Sequence, residues 1–125
     1  MVEVTPEQFE EYVATAVDEL PPSFGERIAN VEFVVEDWAR PDDYARSGTG
    51  AGSTILGIYR GVPLTRRGAH YNMALPDRIA IFRGPLQRIA GDEDDLRERV
   101  AHVVRHEVAH YFGISDDRLR EIEAY

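Results

Sequence analysis

The chain has 125 residues, 43% of them hydrophobic, with a formal net charge of −9 and no cysteine. That length suits one domain with a real core, and the acidity argues against nonspecific attraction to nucleic acid or an anionic membrane. The missing cysteine excludes a disulfide framework, a thiolate zinc site and a cysteine nucleophile.

Thr5-Pro6-Glu7-Gln8 reads as a helix start, with Thr5 as N-cap, Pro6 at the first helical position and Gln8 completing a capping box. Val4 and Phe9 are spaced for a hydrophobic staple. Phe9, Val13, Ala16, Val17 and Leu20 recur at helical spacing, and Pro21-Pro22 is expected to end the helix. Residues 31–36 have strand composition. Residues 39–53, with Pro41, Gly48, Gly50 and Gly52, read as a long loop. Its glycines are not a phosphate cradle, because no Gly-Lys-Ser/Thr follows. Residues 55–59 read as a second strand that turns near Gly61-Val62-Pro63. Residues 78–82 read as a third, stopped by Gly84-Pro85, with a helical turn over residues 86–90. Asp92 caps a long helix whose apolar stripe is Leu96, Val100, Val103, Val104 and Val108. Ser115 is placed to cap a final short helix.

The order of elements predicts an α+β domain over residues 1–125, with a small mixed or antiparallel sheet packed on two helices. No run is apolar enough to span a membrane, and residues 1–4 lack the features of a secretory signal. A cytoplasmic protein is expected.

The long helix carries the chemistry: His106-Glu107-Val108-Ala109-His110, then Gly113 and Asp116. Residues four apart share a helix face, so His106 and His110 can offer two imidazole nitrogens to one metal ion. Glu107 points along the edge of that face, where a carboxylate serves better as a base for activated water than as a third ligand. Gly113 suits a helix-ending turn with positive φ, which can bring Asp116 back as an oxygen ligand. Asp117 is the rival for that role, and the Gly-x-x-Asp spacing favours Asp116. His102 extends the ladder, but it lies about 12 Å along the axis from His110, too far for one ion. It reads as a partly buried supporting residue. Tyr59, His70, Tyr71 and Arg83 are candidates to stabilise an anionic intermediate; spacing selects none of them.

These residues resemble the zincin metallopeptidases, and more narrowly the small bacterial minimal zincins. The matching segments are His106-Glu107-x-x-His110-x-x-Gly113-x-x-Asp116, residues 75–79, residues 82–86 and residues 61–65. The resemblance implies a zincin-like fold, one Zn2+ held by His106, His110 and Asp116, and Glu107 as general base. It also implies a peptide or protein substrate, paired along an exposed strand edge expected at residues 78–82. Larger metzincins carry a methionine turn after the third ligand, whereas Met1 and Met73 both lie upstream here. A restricted peptide substrate is therefore expected. The alternative is a non-catalytic zinc-binding module in which the metal stabilises the fold. Oligomeric state has no signature in the sequence.

Overall fold

In the computed structural model, which describes residues 1–47, 54–61 and 77–114, the first helix, α1 (Pro6–Asp18), opens with the expected capping box. Thr5 Oγ1 accepts from the Gln8 amide at 3.1 Å, and Gln8 Oε1 accepts from the Thr5 amide at 3.3 Å. Each bond satisfies a backbone donor left over at the helix start. Val4 and Phe9 are both buried in the main core, as a staple requires.

Pro21-Pro22 does more than end that helix. Pro22 opens a short helix, α2 (Pro22–Arg27), with proline where a missing amide costs nothing. The chain then enters the expected first strand, β1 (Val31–Glu36).

The expected loop at 39–53 contains a helix, α3 (Pro41–Ser47). Pro41 presets its first turn, and the Asp43 carboxylate accepts from the Arg40 amide at 2.8 Å. The anchor that fixes α3 to the sheet is Arg60. Its guanidinium binds both oxygens of Glu36, at 2.8 and 2.9 Å, and both oxygens of Asp43, at 2.9 and 2.8 Å. Hydrogen bonds from Arg60 hold the Glu36 carboxyl below its usual range, against the effect of burial. For Asp43, burial pushes upward, and the bonds from Arg60 and the Arg40 amide outweigh it, so this carboxyl also sits low. Arg60 itself is raised by the bonds to Glu36 and Asp43.

The second and third strands, β2 (Gly57–Arg60) and β3 (Asp77–Phe82), complete among the described residues a three-stranded sheet of order β1-β3-β2. β1 runs parallel to β3 and β2 antiparallel, so the sheet is mixed. Residues 78–82 therefore form the middle strand, not an exposed edge. Ile79, Ala80, Ile81 and Phe82 are all fully buried, because both faces of β3 are covered.

No turn separates β3 from the next helix, α4 (Arg83–Ile89), which starts upstream of the expected 86–90 turn. Gly84 and Pro85 fall in its first turn, where proline is tolerated. Gly84 also allows close approach, since a Cβ there would meet the Trp38 ring at 2.6 Å. The buried Gln87 side chain accepts from the Val4 amide at 2.9 Å and ties the N-terminus to α4. The last described helix, α5 (Glu93–Tyr111), lies with α1 across one face of the sheet.

Strand alternation gives the sheet two unlike faces. Ile79, Ile81 and Tyr59 join Phe9, Val13, Leu96, Val100 and Val104 in the core under α1 and α5. Ile58, Ala80 and Phe82 form a smaller cluster with Ile55, against which Tyr44 of α3 packs. The result is the expected α+β architecture. Among the described residues no helix is long and apolar enough to cross a membrane.

Candidate metal centre

α5 begins as its sequence predicts. Asp92 is the N-cap and accepts from the Asp95 amide at 2.7 Å, while Asp95 accepts from the Gly91 amide at 2.9 Å. Leu96, Val100, Val104 and Val108 then bury one stripe of the helix. The anchored stripe fixes the rotation of the last turns, where His106, Glu107 and His110 stand.

The helix ends in a Schellman turn: the Gly113 amide bonds the His110 carbonyl at 2.9 Å, and the Ile114 amide bonds the Ala109 carbonyl at 3.0 Å. Gly113 has φ 81°, the left-handed conformation expected there. The chain thus leaves the helix directly beside His110. Asp116 and its rival Asp117 lie outside the described residues, as do His70 and Tyr71.

The structure brings His106, Glu107 and His110 into one group whose potential ligand atoms all lie within 4.8 Å of one another. The two imidazole rings stand edge to face, with centroids 4.5 Å apart. Both histidines are half-buried, while Glu107 is only 6% exposed. The Glu107 carboxylate swings further toward the histidines than its rotation on the helix suggests: its Oε1 lies 3.1 Å from His110 Nδ1. His102 is exposed rather than partly buried, its ring centroid 6.2 Å from that of His106.

A backbone group from the sheet completes the hold on Glu107. The Tyr59 amide donates to Glu107 Oε1 at 3.0 Å, a bond between residues 48 positions apart. The geometry follows from strand parity. The Leu56 carbonyl accepts from the Phe82 amide, so alternate groups of this segment face β3 and the Tyr59 amide faces away, over α5. A hydrogen bond to a buried carboxylate contributes about 1.5–3 kcal/mol, enough to fix one rotamer.

Gly57 makes that approach possible. A Cβ there would meet Val103 Cγ1 at 2.5 Å, the Ala80 carbonyl at 3.0 Å and Glu107 Cγ at 3.5 Å. Neither Gly57 nor the Tyr59 amide was an expected part of the site. A glycine inside an apolar strand run is the signal that points to close backbone approach. The Tyr59 ring is buried against Tyr111, with centroids 5.6 Å apart, and the Arg83 guanidinium sits 3.1 Å from Asp37.

A buried carboxylate beside two imidazoles at the end of an anchored helix offers a hard oxygen and two nitrogens to a divalent ion. The sequence agrees with that geometry. A profile of the zincin-like metallopeptidase family matches residues 28–125, from the end of α2 through β1, β2, β3 and the metal helix.

The chain belongs to the zincin-like metallopeptidases.

That match reaches further toward the N-terminus than the motif segments at residues 61–116. Among solved structures, this zincin-like chain is similar to a conserved hypothetical protein from Thermo thermophilus. The TM-score is 0.59 and the identity 26%, covering 87% of this chain and 94% of that one. No curated protein matches it. Zincin-like membership implies a metal, and the His106–Glu107–His110 group is the set of described residues that fits one.

Proposed function

We propose that this chain is a zinc-dependent peptidase in which His106, His110 and Asp116 hold one Zn2+ and Glu107 is the general base. The observation that carries this reading is the buried Glu107 carboxylate, in contact with His110, grouped with His106 and steadied by the Tyr59 amide. Bound by such ligands, zinc supplies Lewis acidity and lowers the pKa of water toward about 7.

Glu107 takes a proton from the attacking water and returns it to the leaving amine. The amide bond to Oε1 keeps the carboxylate from turning away. Substrate is a peptide in extended form along β2, an edge strand among the described residues that lies over α5, in place of the edge expected at residues 78–82.

One observation favours a second reading. Glu107 is close enough to both histidines to serve as a ligand itself, which would suit a non-catalytic zinc module. The Glu107→Gln variant separates the two, with zinc measured by elemental analysis and cleavage measured on a quenched peptide library. A general base predicts about one zinc per chain retained and cleavage lowered about 10²–10⁴-fold. Loss of zinc in the variant would make Glu107 a ligand, and undiminished cleavage would remove it from the mechanism.

A further inference from the structure

We propose that the edge of β1 left unpaired among the described residues and the adjoining face of α1 form a docking groove for an extended segment of a partner protein. The segment carries two basic residues four apart with an apolar residue midway. The groove holds about 610 Å³ and is lined by Glu10, Val13, Val17 and Asp18 of α1 and by Phe33 and Val34 of β1 among others. That volume lies within the range of natural binding clefts.

The strand presents its edge there. Successive side chains point to opposite faces, yet Phe33, Val34 and Val35 all line the same groove, so it opens along the edge itself. Among the described residues β1 has β3 on one side and no strand on the other. Phe33, Val34 and Val35 are half-buried apolar residues beside backbone suited to accept another strand.

Charge selects the occupant. Residues 1–26 include seven acidic side chains and no Arg or Lys. Glu10 and Asp18 are exposed at the two ends of the groove's helical wall. A second copy of this chain pairing through β1 would bring like charges together, whereas a basic segment neutralises them.

The spacing sets the pattern. Eight helical residues separate Glu10 from Asp18, about 12 Å along α1. Four strand residues span about 13 Å, and positions i, i+2 and i+4 point the same way. Basic groups at i and i+4 therefore reach the two acids, while an apolar group at i+2 lies over Val13 and Val17. β3 separates β1 from β2, so the groove is distinct from the metal centre and independent of the peptidase reading.

The test uses the full chain and a fluorescein-labelled peptide, Thr-Arg-Thr-Val-Thr-Arg-Thr, with a control in which both Arg are Glu. Anisotropy at low salt should give saturable binding in the range of about 10–100 µM, weakening as salt is added. Amide shifts in NMR spectra should centre on β1 and α1. The exposed double variant Glu10→Arg/Asp18→Arg should keep its far-UV dichroism and bind at least about tenfold more weakly. No binding at about 1 mM peptide, equal binding of the Glu control, shifts elsewhere in the fold, or self-association through β1 would each overturn the proposal.

Discussion

Each face of the sheet has a carboxylate group against it, and the two are balanced in different ways. On the face under α3, Glu36 and Asp43 share one guanidinium, a cation that stays charged at every working pH and forks between them. On the face under α5, Glu107 meets an imidazole and a backbone amide. The first arrangement is closed by a permanent charge of its own. The second is built from groups that bind metals, with a carboxylate that a divalent ion can compensate. Burial alone does not mark a functional acid; the identity of its partner does.

Replacing Arg60 tests the closed group most severely. Arg60→Met leaves Asp43, 2% exposed, and the half-buried Glu36 without their shared cation. The expected loss is about 3–5 kcal/mol in chemical denaturation, nearer the lower figure because Arg40 remains 3.0 Å from Glu36. Glu107→Gln should cost far less stability, since Gln still accepts from the Tyr59 amide. Equal losses in the two variants would erase the distinction between the faces.

Acid should weaken the Arg60 group next, with a smaller effect because protonation leaves packing intact. Glu36 and Asp43 sit below their usual range in the folded chain. Groups lowered on folding contribute stability above their unfolded values, and that stability is lost as pH falls through the folded ones. Stability from this cluster should therefore be complete above about pH 5 and decline below about pH 4. In Arg60→Met this part of the decline should shrink, since only the contributions of Arg40 remain, as read from denaturation midpoints across pH.

Much of this fold is legible locally. Thr5, Pro6 and Gln8, or Asp92 and Asp95, sit within one turn of what they cap, so their meaning survives without tertiary knowledge. Gly113 is legible for the same reason. The failures share a cause in distance along the chain. α3 lies in a glycine- and proline-rich stretch, and its anchor, Arg60, is 17 residues from Asp43. The central place of β3 depends on a parallel pairing with β1, 46 residues away, which no alternation pattern announces. At the candidate site the histidine spacing is legible because a helix repeats. The hold on Glu107 is not, because it comes from a strand placed by the rest of the fold.

Gly57 joins the sheet to the helix at that point. Gly57→Ala puts a methyl against Val103 Cγ1 and the Ala80 carbonyl, and only the former can give way. A loss of about 1–3 kcal/mol is expected from overpacking. The functional consequence is more specific: β2 lifts from α5 and the Tyr59 amide draws away from Glu107. Cleavage should fall while zinc content holds, and the companion change Val103→Ala should restore part of both stability and rate. If stability returns and the rate does not, the amide has no role in positioning the base.

The smallest effect belongs to the turn beyond the histidines. Gly113 takes φ 81°, a conformation that costs a non-glycine residue about 1–2 kcal/mol. Gly113→Ala should lower stability by about 1 kcal/mol, and Gly113→Asn by less, because Asn tolerates this region. The turn also sets where the chain goes after His110, and hence, on the proposed ligand set, whether Asp116 can serve as the third ligand. Zinc affinity, measured by competition with a chelator, should therefore follow the same order as stability. Weakened affinity in Gly113→Ala with near-normal affinity in Gly113→Asn would tie the third ligand to this turn; unchanged affinity in both would place that ligand elsewhere.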